Sequence, residues 1–332
     1  MERRRLGHTD IELSVIGLGT WVAGGRWGGA DDAASLAAAH AAVDGGVNWI
    51  DTADIYGQGR AEKIVAQVLR DRPGEVMVAT KGGVAWAFDP DFRIWRVADG
   101  AYLRQALEAS LERLGVEAVD IYQVHWPVPG VDPTDTMGTM DDLRREGKIR
   151  AVGVSNYALS DLQAAHAAAP LDSYQPGYHL LRRDIEGIEL GWCAANDVGV
   201  IAYGPLGHGL FTGKMTAQTT FGADDWRSSS ELFTDDAFAD RIAIVEALAG
   251  IAEDSGRAGG VAELAVAWVL RRPEITAAIV GARDPEQARA NLALADTPLT
   301  ADEDEAIEAV LARYPDAGRH YGHGEPPASD EQ

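Results

Sequence analysis

Eight short apolar runs recur along the chain, each followed by a stretch with helical spacing, and this alternation predicts a single (β/α)8 TIM barrel over residues 1–332. Two further observations favour the barrel over an open doubly wound sheet. The first core strand runs into Gly17-Leu18-Gly19-Thr20-Trp21-Val22, which lacks the third glycine of a dinucleotide fingerprint. From the second strand onward, the runs stop at polar or charged residues, as strands opening on one functional mouth would.

The elements follow in order. Residues 3–6 and 11–13 flank the turn Gly7-His8-Thr9-Asp10, an N-terminal β-hairpin over 1–14. Residues 15–19 form the first strand, and 31–43 an alanine-rich helix opened by Asp31-Asp32 and stopped by Gly45-Gly46. Strand two is 47–50 with its helix at 62–69, strand three 76–79 with 101–114, and strand four 119–124 with 133–145. Strand five is 149–154 with its helix at 159–168, strand six 173–175 with a helix near 185–195, and strand seven 200–202. About seventy residues then precede strand eight at 278–280. They hold a long Gly/Thr/Ser-rich loop (207–230) and helical stretches at 237–252 and 261–270. A loop of that length inside a compact domain suits a lid or a binding element. A helix at 286–293, an extra C-terminal helix at 302–313 and a mobile tail over 316–332 complete the expectation.

Composition narrows the partners. With 46 % hydrophobic residues the chain can bury a sizeable core. Its formal charge of −23, from scattered acidic residues, argues against nucleic acid or an anionic membrane as a partner. No obligate protein partner is evident, and a polyanionic ligand would need a local cationic pocket. The single cysteine, Cys193, excludes an intrachain disulfide and reads as a buried packing group. No apolar run approaches the ~18 residues of a membrane span, and no secretory h-region follows the basic start, so the cytoplasm is the expected location.

The strand exits carry the chemistry. They are Asp51 and Tyr56 after strand two, Lys81 after three, His125 after four, Ser155-Asn156 after five, Gln175 at six, Tyr203 at seven and Gly281-Ala282-Arg283 after eight. Singly, each has a structural reading: a turn cap for Asp51, a loop lysine, a half-buried imidazole, a rim aromatic. Together at one mouth they form a set with a purpose. A phenol with a pKa near ~10 is a poor acid at neutral pH. A neighbouring ammonium lowers that pKa, a carboxylate holds the ammonium, and an imidazole can bond a substrate oxygen. Such a set suits protonation of a carbonyl oxygen as hydride reaches its carbon. No metal-ligand cluster is expected. Six of nine tryptophans fall in strand-to-helix segments, and Trp21, Trp86 and Trp126 are the candidate substrate wall for hydrophobic or aromatic carbonyl compounds.

These residues resemble the aldo-keto reductase superfamily. The matching motifs are Asp51-Thr52-Ala53-Asp54-Ile55-Tyr56-Gly57, Thr80-Lys81, Tyr122-Gln123-Val124-His125-Trp126 and Gly153-Val154-Ser155-Asn156-Tyr157. Gln175-Pro176, Ala202-Tyr203-Gly204-Pro205-Leu206-Gly207 and Gly281-Ala282-Arg283-Asp284-Pro285-Glu286-Gln287 match as well. In order and spacing the chain looks most like bacterial members that include general-stress and inositol-linked reductases. The resemblance implies NADPH-dependent, reversible reduction of aldehydes and ketones, with NADP(H) as cofactor and a small carbonyl or alcohol substrate. Tyr56 would be the general acid, Lys81 its partner, Asp51 the lysine's anchor, and His125 the group that orients the carbonyl. Ser155, Asn156 and Gln175 would hold the nicotinamide carboxamide, and Tyr203 would stack on its ring. Gly204, Leu206, Gly207, Leu210 and Lys214 would cross the pyrophosphate, while Gly281, Arg283, Gln287 and Asn291 would grip the 2′-phosphate and adenine. Two departures stand out: Gly204 where many relatives have serine, and Gly177 where a bulkier residue is common.

Two rival readings use the same barrel. A Schiff-base aldolase or lyase would employ Lys81 as nucleophile but leaves Tyr56, Tyr203 and residues 281–291 unexplained. A non-catalytic NADPH-binding sensor module is the other.

Overall fold

A computed structural model describes residues 1–25, 27, 29, 31–87, 92–295 and 297–319. Eight parallel strands close into a barrel in sequence order: β1 (Ile16–Gly19), β2 (Trp49–Asp51), β3 (Met77–Gly82), β4 (Val119–Val124), β5 (Ile149–Ser155), β6 (Ser173–Gln175), β7 (Gly199–Tyr203) and β8 (Ile275–Gly281). The expected (β/α)8 barrel is therefore the observed fold. The N-terminal hairpin pairs Arg3–Arg5 with Glu12–Ser14 and closes the bottom of the barrel.

Side-chain parity explains what the barrel holds. Alternate residues of a strand face the same way, so i and i+2 share the interior. Leu6, Ile11 and Leu13 of the hairpin segment pack with Trp49, Ala79, Ile121, Ala151, Ile201, Ala277 and Ile279 as an apolar plug. Two residues further along the same strands stand Asp51, Lys81, Gln123, Gly153, Tyr203 and Gly281. One inward stripe thus reads apolar at the bottom and polar at the mouth. Trp49 is fully buried, its indole N–H donates to Ser14 O at 2.9 Å, and its ring lies over Gly17 where any Cβ would collide with it. Trp49→Ala would empty about 3–5 kcal/mol of packing from the plug's centre.

The outward residues of the strands form the larger core against the helices. The helices after the strands are α1 (Asp32–Asp44), α2 (Arg60–Asp71), α3 (Gly100–Leu114), α4 (Thr134–Arg145), α5 (Leu159–Ala168) and α6 (Glu189–Ala195). Their ends follow local chemistry. Asp31 caps α1 by accepting from Ala34 N, Asp99 caps α3 by accepting from Tyr102 N, and Gly115 closes α3 in the left-handed region at φ 70°. Between β7 and β8 lie a short helix α7 (Glu231–Thr234), α8 (Phe238–Asp254) and α9 (Gly260–Leu270). α10 (Pro285–Leu292) follows β8, and the extra C-terminal helix α11 (Ala301–Leu311) opens with a capping box between Thr300 and Glu303.

Three expectations change. Lys81 lies inside β3, not after it, because the strand runs on to Gly82. A second hairpin, Val84–Ala87 against Arg93–Arg96, follows β3 where no element was expected. The tail begins pinned rather than loose: Ala317 is buried and Arg241 donates to the carbonyls of Ala317 at 2.9 Å and Arg319 at 3.1 Å. The rest of the expected tail, 320–332, lies outside the described residues. Cys193 is buried, and burial pushes its thiol up to about 12, so it stays an unreactive packing group. Among the described residues no helix is long and apolar enough to cross a membrane.

Candidate active site

The polar stripe assembles into one network at the mouth. Lys81 Nζ donates to Asp51 Oδ1 at 2.6 Å and to Thr52 O at 2.9 Å, and neither charged side chain meets appreciable solvent. An ammonium has three protons, so one remains beyond these two bonds. The nitrogen sits over the Tyr56 ring, 5.3 Å from its centroid, and the His125 ring meets that of Tyr56 edge to face at 5.7 Å. Asp51, Tyr56, Lys81 and His125 are thus brought together.

Burial sets their charges. It raises Asp51 and lowers Lys81, against the attraction and hydrogen bond between them. Burial likewise holds the His125 imidazole neutral, well below its ordinary value, with the Lys81 charge adding to the effect. Tyr56 departs from expectation. Its phenol is raised well above the usual value, first by burial and then by the charge of Asp51, with Tyr203 and Asp54 contributing. Burial and the neighbouring carboxylates act in the same direction here, so the phenol keeps its proton.

Gln175 does more than the sequence suggested. Its amide nitrogen donates to Asp51 Oδ2 and to Gln123 Oε1, both at 2.8 Å. Gln123 in turn donates to Ser173 Oγ at 3.2 Å. The carboxylate that holds Lys81 is therefore held from its other oxygen by a glutamine chain across the barrel. Gln123 was missed as a site residue. Its signal was parity, since it lies two residues before His125 on the inward stripe.

The β5–β7 side forms a second set of contacts. Ser155 Oγ donates to Gln175 O at 2.8 Å. Asn156, in the left-handed region at φ 64°, donates from its amide to His125 O at 3.1 Å and Ser155 Oγ at 3.0 Å. The Tyr203 hydroxyl donates to Asn156 Oδ1 at 2.7 Å and accepts from Arg182 Nη1 at 2.9 Å. Arg182 was also missed, and Gly177 is the signal for it. A Cβ at Gly177 would collide with the Arg182 guanidinium, lying 2.7 Å from its Cζ, so the glycine that departs from the family pattern makes room for an arginine. The Gly204 departure has a backbone reason: φ is 69°, where a serine would be strained.

The residues expected at the dinucleotide differ in burial. Gly207 and Leu210 are buried, with the Leu210 side chain in the core, so Leu210 has only backbone to offer a ligand. Leu206 is half-buried and Lys214 exposed. Arg283 is exposed, one terminal nitrogen donates to Trp27 O at 2.9 Å, and its backbone N–H donates to Gln287 Oε1 at 3.2 Å. Asn291 donates to Gly281 O at 3.0 Å, which ties the end of β8 to the last turn of α10. Asp284 caps α10 through Gln287 N.

The tryptophans divide. Trp126 is half-buried beside His125 and lies under the Arg96 guanidinium at 4.7 Å, while Trp86 is half-buried on the hairpin after β3. Trp21 instead joins a cluster with Trp27 at 5.1 Å, Trp226 at 5.4 Å and His208 at 5.8 Å. That cluster fastens the segment after β1 to the long loop after β7. His208 is held down to about 4, first by burial and then by the charges of Arg182 and Arg227. Among the described residues no group of three or more His, Cys, Asp or Glu is arranged to hold a metal.

Comparison with known proteins bears on this arrangement. Residues 15–312 match the Aldo/keto reductase family. The chain is 38 % identical to aldo-keto reductase YhdN of Bacillus subtilis, over 94 % of each chain. It is 33 % identical to the NADH-specific methylglyoxal reductase of Escherichia coli, over 93 % of this chain and all of that one (100 %). Among solved structures, the glycerol dehydrogenase AKR11B4 from Gluconobacter oxydans superposes with a TM-score of 0.86 at 37 % identity, covering 94 % of this chain and 95 % of that one. An aldo/keto reductase from Klebsiella pneumoniae in complex with NADP and acetate gives 0.70 at 29 % identity, covering 95 % and 96 %.

Proposed function

The chain belongs to the aldo/keto reductase family, and from that premise we propose that it reduces aldehydes or ketones with NADPH, using Tyr56 as the general acid. The buried Lys81–Asp51 pair beside Tyr56 and His125 carries this reading.

Each side chain then has a task that follows from its surroundings. Tyr56 holds a proton over the working pH range, as a group that protonates a developing alkoxide must. Lys81, fixed by Asp51 Oδ1 and Thr52 O, keeps positive charge next to the site where phenolate character develops. Neutral His125 has one ring N–H to direct at the carbonyl oxygen without competing for the proton. When bound, the reduced nicotinamide supplies the hydride.

The residues present fit a dinucleotide. Tyr203 is a half-buried aromatic at the β7 exit, next to Ser155 and Asn156 with their amide and hydroxyl groups. Arg283 stands at the N-terminus of α10, an anion-favouring end, where a guanidinium suits a phosphate. On this ground we favour NADPH over NADH. The Klebsiella pneumoniae neighbour holds NADP, whereas the Escherichia coli relative is named NADH-specific, so Arg283 is the residue on which the preference turns.

Lys81 has no solvent-exposed surface, and its bonds to Asp51 and Thr52 O hold it away from an incoming carbonyl carbon, which counts against a Schiff-base reaction. NADPH oxidation over a panel of aldehydes tests the proposal. Tyr56→Phe is expected to lower kcat by about 10²–10⁴-fold. Equal turnover in wild type and variant would remove Tyr56 from its role. A substrate adduct trapped on Lys81 by borohydride would favour the lyase reading.

A further inference from the structure

We propose that Arg182 is a positioning residue that locks the Tyr203 ring as the nicotinamide platform and biases the site toward the reduced, uncharged nicotinamide over the oxidised cation. This rests on the proposed stacking role of Tyr203.

The geometry begins with Gly177. Its missing Cβ lets the Arg182 guanidinium reach the Tyr203 hydroxyl at 2.9 Å, with Arg182 Cζ 5.6 Å from the Tyr203 ring centroid. The hydroxyl donates onward to Asn156 Oδ1 at 2.7 Å, and Asn156 is itself tied to His125 O and Ser155 Oγ. The hydroxyl is therefore fixed by one donor and one acceptor, and the side chain cannot swing away from the β7 exit without breaking a bond to a charged group. Hydrogen bonds to charged groups are the stronger class.

Charge is the second part. Arg182 is nearly buried, at 9 % exposure, so water screens it poorly. Asp184 offsets it, with Oδ1 3.7 Å from Nε, but that carboxylate is one-quarter exposed (25 %) and better solvated than its partner. His179 and His208 are both held neutral, first by burial, and Arg182 adds to the effect on each. A ligand stacked on Tyr203 would meet the same field. The reduced nicotinamide ring is neutral and the oxidised ring carries a positive charge, so a fixed cation behind the platform disfavours only the oxidised form. The phosphates and ribose are common to both states and cancel from the comparison.

The test is a ratio. The dissociation constants of NADP⁺ and NADPH are measured separately for wild type, Arg182→Met and Arg182→Lys, by nucleotide titration without substrate. Arg182→Met keeps an unbranched apolar stem and removes the charge. It is expected to tighten NADP⁺ relative to NADPH by about tenfold, the effect of a charge a few ångströms beyond contact in a partly screened site. Arg182→Lys should keep the ratio within about threefold of wild type. The ratio is read on protein that binds, so partial misfolding does not produce it.

An unchanged ratio in Arg182→Met, with both constants weakened alike, would reduce Arg182 to a packing role and overturn the bias. A shift in Arg182→Lys as large as in Arg182→Met would also overturn it, because the charge would not be the cause. Tyr203→Ala separates the premise from the proposal. If it leaves both affinities unchanged, Tyr203 is not the platform and the inference falls with that reading. If it weakens both while Arg182→Met leaves the ratio alone, the platform stands and the bias alone is refuted.

Discussion

The proposed proton-delivery set and the proposed dinucleotide grip share one barrel mouth but are built by different means. Asp51, Lys81, Gln123 and Gln175 lie on the strands themselves, buried, with the Asp51 carboxylate bonded from both oxygens. Lys214 and Arg283 lie on loops, exposed, and Arg283 is anchored at one terminal nitrogen to the carbonyl of Trp27. Groups that must hold a proton at a fixed atom gain from rigid, dry support, where electrostatic interactions are strong and reorganisation is small. Groups that must admit and release a large anion need a surface that opens. The Trp21, Trp27, Trp226 and His208 cluster fastens that surface by aromatic contact between two loops.

Perturbing each region should therefore produce different kinetics. Lys81→Met is expected to lower kcat by about 10²–10³-fold while changing the dinucleotide dissociation constant by less than about threefold. A comparable loss of affinity would mean that the two regions are not separable. Arg283→Ala should do the opposite, raising KM for NADPH by about 10–100-fold and leaving KM for NADH and kcat nearly unchanged. Equal effects on both cofactors would show that Arg283 does not read the 2′-phosphate.

Gln123→Leu tests whether the glutamine chain belongs to the proton-delivery set. Without its acceptor, Gln175 loses the bond that aims its other proton at Asp51. A fall in kcat of about tenfold is expected, with a displaced pH–rate profile. A lower kcat with an unmoved profile would make Gln123 a packing residue only.

The smallest effect concerns His208 in the fastening cluster. Its value in the folded protein is about 4, below the ordinary value of about 6.5. Between these values the unfolded chain takes up a proton that the folded one refuses, so this contribution is whole above pH 6.5 and declines as pH falls toward 4. The shift in His208→Phe melting temperature between pH 7 and pH 5 should be about 4 °C smaller than in wild type. Identical shifts would mean that His208 is not held neutral by the fold.

The alternation of apolar runs and helical spacing was enough to place all eight strands, because parallel strands buried on both faces must be apolar along their length. Asp51, Lys81 and His125 were visible for a related reason, since each interrupts or follows such a run and a charge there is costly unless it is used. The hairpin of Val84–Ala87 and Arg93–Arg96 was overlooked because Arg93-Ile94-Trp95-Arg96 shows no strict alternation of polar and apolar residues. Four residues are too few to separate a hairpin from a loop without seeing the partner strand.

By itself, then, the sequence determined the barrel, the order of its strands and which polar groups stand at their exits. Those properties are encoded in local periodicity and in short motifs. Tertiary structure decided which of these groups touch. Asp51 and Gln175 are 124 positions apart, yet 2.8 Å separates the carboxylate from the amide. It also decided how the groups are charged, since the rise of the Tyr56 phenol depends first on burial that no neighbouring residue in the sequence reveals. Closing the barrel brings distant strand ends together and excludes water from between them, and both effects exist only after the chain has folded.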